Sequence, residues 1–151
     1  MNKHSKSTLR AQIATLLKNQ KEEVRLKKSE AIRKKLFSLK EFKRAKTILF
    51  YASFVRSLRS GLRRGAYGIL EPKKESCKPL DLSALDLVLV PGIAFDKKNH
   101  RLGRGLGYYD RFLQNLPSHI PTIGLAFDFQ VVPRLPHLQV HDAQLSHVIV
   151  N

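Results

Sequence analysis

The chain is short of several things that would announce a function outright. Its 151 residues include one cysteine, Cys77, so neither an internal disulfide nor a cysteine-based zinc knuckle can form. The sequence therefore reads as intracellular, with a cytoplasmic location expected. No run approaches the roughly 20 apolar residues of a membrane span, and the basic N-terminus lacks the apolar stretch of a signal peptide. A soluble protein without a membrane partner is expected. There is no HExxH, no paired catalytic carboxylates, no recognisable Ser-His-Asp order, no internal repeat and no low-complexity tail. The six histidines are scattered. His137 and His141 are four apart, but Pro136 beside them argues against the helix that would turn both toward one metal, so none is assigned to a metal.

Acidic residues are also scarce, 12 against 28 lysines and arginines, and the imbalance is local. Residues 81–151 hold six of each sign, so all of the +16 net charge lies before residue 81. Such an excess concentrates polyanions, nucleic acid and small molecules alike. The basic stretches match no nucleic-acid motif and lack the interleaved aromatics of single-strand binders, so no specific nucleic-acid partner is expected. A basic module for RNA or other polyanions stands as an alternative function.

What is present suits one domain over 1–151. Leu9, Ile13, Leu16 and Leu17 share a helical face behind Ser5 or Ser7 as N-cap, which predicts a helix over 6–19. A second helix over 21–39 is expected to bury Val24, Ala31, Ile32, Leu36 and Leu39. Short apolar runs predict strands at 47–52, 85–90 and 122–127, with 147–150 as an edge strand, and 108–115 has helical spacing. Residues 56–65 carry too few apolar positions to assign, 70–79 read as a loop, and 129–146 as mostly loop. Strands alternating with helices imply an α/β fold, a mostly parallel sheet covered on both faces behind two N-terminal helices.

The stretch Arg101-Leu-Gly-Arg-Gly-Leu-Gly-Tyr-Tyr-Asp110 sits between a strand and a helix, where open parallel sheets bind ligands. Glycines let backbone N–H groups converge on an anion without Cβ clashes. Arg101 and Arg104 would add charge-assisted bonds to phosphate oxygens, and Asp110 a carboxylate for Mg²⁺. The spacing is neither GxxxxGK[ST] nor GxGxxG. A flexible tight turn with solvated arginines is the alternative.

The run Asp86-Leu-Val-Leu-Val-Pro-Gly-Ile-Ala-Phe-Asp96 followed by Arg101-Leu-Gly-Arg-Gly-Leu-Gly-Tyr-Tyr-Asp-Arg-Phe-Leu113 closely resembles the 5-formyltetrahydrofolate cyclo-ligase (5,10-methenyltetrahydrofolate synthetase) family. Lys6-Ser-Thr-Leu-Arg10, Gly65-Ala-Tyr-Gly-Ile-Leu-Glu-Pro72, Pro121-Thr-Ile-Gly-Leu-Ala-Phe127 and His141-Asp142 agree in order. The resemblance implies a three-layer Rossmann-like domain acting as a monomer on small molecules. Its reaction would convert 5-formyltetrahydrofolate to the 5,10-methenyl form, with ATP as co-substrate, Mg²⁺ as cofactor, and ADP and phosphate released. Carried over by position, Lys6, Arg10, Arg101, Gly103, Arg104, Gly105, Gly107, Tyr108 and Tyr109 look like the ATP site. Arg104 and Tyr108 look like folate contacts, and Asp110 and Asp142 like the magnesium aspartates. No catalytic acid or base is assigned. Two departures stand out. Leu106 replaces the glycine or lysine of many relatives. Between Phe54 and Gly65 about one βα unit is missing, with no glutamate to match the family's folate-contacting acids. A shortened relative that binds nucleotide without turnover is therefore a further alternative.

Overall fold

The computed structural model describes residues 5–50, 62–64, 70–73, 80–136 and 143–151. Helices α1 (Lys6–Asn19), α2 (Glu22–Ser38) and α3 (Lys40–Arg44) come first. Strands β1 (Ile48–Leu49), β2 (Leu62–Arg64), β3 (Leu70–Pro72), β4 (Leu87–Val90), β5 (Ala94–Asp96) and β6 (Arg101–Leu102) lead to helix α4 (Tyr108–Gln114). Strands β7 (Thr122–Ala126), β8 (Val131–Val132) and β9 (His147–Val150) complete the order.

The main sheet is parallel, in the order β1-β4-β7-β9. Its centre is β4, buried along its whole length, and the two-residue period of a strand sorts its side chains. Leu87 and Leu89 face α2 and α3, where they meet Ile32, Leu36, Ile123 and Ile149 with Phe42 and Ile48 behind them. Val88 and Val90 face the other way, toward Phe95, Ile120, Leu145 and the α4 residues Phe112 and Leu113. These are the three layers expected. Asp86 fixes where β1 and β4 begin, because its carboxylate accepts the backbone N–H groups of Lys46 and Thr47 at 2.8 Å each. At the other edge the β7 and β9 starts are tied reciprocally: Thr122 N–H donates to Ser146 Oγ and Ser146 N–H to Thr122 Oγ1, both at 3.0 Å.

A second sheet, β6-β5-β8, lies beside the first and was not apparent from the sequence, because strands of two or three residues are too short to show a period. α1 docks on it through Leu9 and Ile13, which pack with Ala94, Leu102 and Leu135. Leu16 and Leu17, expected in the same buried stripe, are 47% and 38% exposed, since that cluster engages only the earlier turns. Val24 is likewise exposed; the part of α2 that meets the main sheet begins at Ile32. The segment 70–79, expected as loop, opens with β3, which pairs antiparallel with β2. That pairing also supplies a strand in the unassigned 56–65. The β1 ladder covers only Ile48 and Leu49 of the expected 47–52, and residues 51–61, where the shortened middle falls, lie outside the described residues.

Candidate functional site

The loop 103–107 hangs between β6 and α4, and both of its ends are fixed. On the β6 side Arg101 is buried, its side chain 3% exposed, and its Nη2 donates to Asp110 Oδ1 at 2.8 Å. The guanidinium carbon lies 5.5 Å from the centre of the Tyr109 ring, close enough for a cation–π contribution. Tyr109 in turn meets Phe112 edge to face, the centroids 6.0 Å apart. Arg101, Asp110 and the aromatic ridge of α4 thus join the strand before the loop to the helix after it. At the far end Gly107 caps α4 in the left-handed region, φ 62°, and Arg111 Nη1 donates to the Leu106 carbonyl at 3.3 Å.

A third hold comes from a distant part of the chain. Burying Leu9 and Ile13 on the second sheet leaves Arg10, the i+4 neighbour of Lys6, on the side of α1 that meets the loop. Arg10 Nε donates to the Gly103 carbonyl at 2.8 Å. Gly105 has φ 101°, and a Cβ there would stand 3.4 Å from Arg10 Nη2. A side chain at 105 would be strained by its backbone, and its Cβ would rest in contact with the guanidinium. Lys6 sits one turn earlier and is half-buried. Arg104 and Tyr108 are exposed, Tyr108 at 68%, and lean out from the loop and the first turn of α4.

Of the expected nucleotide residues, Arg10, Arg101, Gly103, Arg104, Gly105, Gly107, Tyr108 and Tyr109 lie in, beside or against this loop, in different arrangements. Arg10 bonds to Gly103 and lies near Gly105, Arg101 and the half-buried Tyr109 form the support, and Arg104 and Tyr108 face solvent. Asp110 belongs to the support through Arg101. Asp142, like His137 and His141, lies outside the described residues, and among the described residues no group of three or more His, Cys, Asp or Glu side chains could hold a metal.

Two buried polar residues that sequence reading did not single out hold the chain on either side of β5. Asp96 is buried and accepts the backbone N–H groups of Lys98 at 2.9 Å and His100 at 3.0 Å, closing the turn between β5 and β6. Gln130, also buried, donates from Nε2 to the Ile93 carbonyl at 2.9 Å while its Oε1 accepts from Phe127 N–H. It thereby holds the bend that follows β4. Asp96 had a legible signal, the turn-forming Asp-Lys-Lys-Asn after Ala94-Phe95; Gln130 had none, because the Ile93 carbonyl its Nε2 reaches is 37 positions away.

A parallel α/β domain with a braced, arginine-bearing glycine loop beside its central strands is the class that fold and site define. The chain matches the 5-formyltetrahydrofolate cyclo-ligase family in two stretches, residues 2–60 and 54–151, and belongs to that family. It is similar to the 5-formyltetrahydrofolate cyclo-ligase of Haemophilus influenzae, 45% identical over 89 residues that make up 57% of this chain and 47% of that protein. The Mus musculus protein of the same name is 40% identical over 74 residues, covering 46% of this chain and 36% of that one. The chain thus spans less than half the length of these curated relatives. Among solved structures, the NMR structure of Aquifex aeolicus 5,10-methenyltetrahydrofolate synthetase matches with a TM-score of 0.76 and 29% identity, over 96% of this chain and 89% of that one. The Mycoplasma pneumoniae 5,10-methenyltetrahydrofolate synthetase gives a TM-score of 0.74 and 27% identity, over 96% and 98%.

Proposed function

We propose that this chain is an ATP- and Mg²⁺-dependent 5-formyltetrahydrofolate cyclo-ligase that forms the 5,10-methenyl product and releases ADP and phosphate. The observation that carries the reading is the braced loop itself: in a chain of this family, Arg10 from α1 and the Arg101–Asp110 pair converge on a glycine loop.

A formyl oxygen is a poor leaving group. Its attack on the γ-phosphorus forms a C–O–P linkage as the bond from that phosphorus to the ADP oxygen breaks. Attack of N10 on the activated carbon then forms the second C–N bond, the C–O bond breaks with phosphate leaving, and N10 gives up its proton. Little covalent work falls to the protein, whose contribution is position and charge. The loop N–H groups and Arg104 hold the phosphates; Lys6 and Arg10 reach them from α1; Arg101 acts through Asp110 and Tyr109 as a positioning residue. Gly107 sets the direction of α4, and Tyr108 and Arg104 stand on the folate side.

The donor chemistry fits Mg²⁺, which favours one or two carboxylates together with substrate phosphates and water. Asp110 has one oxygen engaged by Arg101 and a second to offer, and Asp142 is the family's other candidate. When bound, the ion would neutralise phosphate oxygens.

A second reading, nucleotide binding without turnover, is favoured by one observation, the absence of any glutamate between Phe54 and Gly65. A monomer is proposed for both. Thermal melting with Mg-ATP, followed by the cyclisation assay, separates them. A ligand that binds only the folded chain raises its melting temperature, and only the enzyme also makes product.

A further inference from the structure

We propose that the corner where α2 meets α3 is a binding face for single-stranded nucleic acid, read by charge and stacking rather than by sequence. The corner exists because Leu39 leaves the helical region, with φ −66° and ψ 139°, and α3 starts again at Lys40. That break folds Phe42 back onto Phe37, ring centroids 5.0 Å apart and planes 16° from parallel. Phe42 is packed against the main-sheet core, whereas Phe37 is 48% exposed. The outer ring is thus anchored by the inner one, and it is the ring together with the Arg33 guanidinium over it that forms the platform. Arg33 lies 5.5 Å from the Phe37 centroid, and its guanidinium is held by Glu30 through two hydrogen bonds of 2.7 and 2.6 Å.

The charge around this platform is predominantly positive. Lys34, Lys40, Lys43, Arg44 and Lys46 are exposed and make no ion pair among the described residues, while Glu41 is the one acidic residue between 33 and 46. Aromatic faces set among backbone-tracking cations are what sequence-tolerant single-strand binding uses. The aromatics and cations are not interleaved along the chain; the helix break brings them together. A lipid surface fits less well. The exposed Leu26 and Phe37 are 11 positions apart, about three turns along one face, but the Glu30–Arg33 pair lies between them and a bilayer would have to dehydrate it.

The test is fluorescence anisotropy of the full chain with a labelled 20-nucleotide oligouridylate, its duplex counterpart, and anionic phosphatidylserine vesicles as competitor, across a salt series. Single strands should bind more tightly than duplex. Phe37→Ala and Phe37→Leu should each weaken binding on the order of tenfold at unchanged salt slope, since one stacked base is lost. The leucine variant keeps an apolar cover over Phe42, and circular dichroism checks that both fold. Lys40→Gln with Lys43→Gln should lower the salt slope by about 1.4, roughly 0.7 for each single-strand phosphate, whereas Lys97→Gln with Lys98→Gln on the far turn should leave it unchanged. Duplex binding as tight as single-strand binding, Phe37 variants that bind like the parent, equal loss in the Lys97/Lys98 control, or displacement by the vesicles would each overturn the proposal.

Discussion

Arg10 Nε donates to the carbonyl oxygen of Gly103 at 2.8 Å, across 93 positions of sequence. The loop is therefore braced by a helix that is anchored independently through Leu9 and Ile13, so its shape depends on the docking of α1 as much as on its own glycines. Replacing Arg10 with alanine should remove a charged hydrogen bond worth about 1.5–3 kcal/mol, raise hydrogen exchange at residues 103–107, and weaken Mg-ATP at least tenfold by calorimetry. Lysine at this position should not restore the bond, because the donating atom is a guanidinium nitrogen partway along the side chain.

Gly105→Ala separates loop shape from overall stability. Holding alanine at φ 101°, against Arg10, should cost about 1–3 kcal/mol of strain. At about 2–4 °C per kcal/mol for a domain of this size, the melting temperature should fall by roughly 2–12 °C while the ATP-induced shift in that temperature disappears.

The ion pair under the loop is a stability element. Asp110→Ala would strip the carboxylate from an arginine side chain that is 3% exposed, and breaking a buried pair typically costs about 3–5 kcal/mol. With about 2–4 °C per kcal/mol for a domain of this size, thermal melting should fall by roughly 6–20 °C. Asp110→Asn keeps an acceptor for Arg101 and should recover part of that loss, yet it should still bind Mg-ATP poorly in a magnesium titration.

Overpacking can be tested away from the site. A Cβ on Gly124 would stand 2.6 Å from Phe95 Cε1 and 3.1 Å from Leu145 Cδ1, and Phe95 is fully buried. Gly124→Ala should destabilise by about 1–3 kcal/mol in chemical denaturation.

Two of the carboxylates held low in the fold contribute to the acid limb of stability. Asp86 is held below the ordinary carboxylate range by the backbone N–H groups of Thr47 and Lys46, and Asp128 chiefly by its hydrogen bond from Lys28. A depressed folded value means each contributes above the unfolded value of about 3.9 and loses its contribution as pH falls through the folded value. Melting temperatures of the parent and of Asp86→Asn should differ at pH 6 and converge below about pH 4.

The sequence was most legible where one element carries its own signal. β4, β7, α1 and the glycine loop are read from apolar runs, helical spacing and composition, and β9 from its last four residues. It was least legible where structure depends on remote partners. β5, β6 and β8 are each two or three residues long and exist because they pair with one another; the Arg101–Asp110 bond requires the loop to close; Leu16 and Val24 share their helices' apolar spacing but belong to no buried cluster among the described residues. The glycine loop was readable as an anion cradle, but the separate duties of Arg10, Arg101 and Arg104 emerge only with burial and distances.

The most direct measurement is the cyclisation assay with purified, folded chain, Mg-ATP and 5-formyltetrahydrofolate, following the near-ultraviolet absorbance of the methenyl product and the ADP released. Equimolar product and ADP, both dependent on Mg²⁺ and both lost in Arg10→Ala, are the predicted result. A folded chain that gives neither signal would contradict the proposed activity.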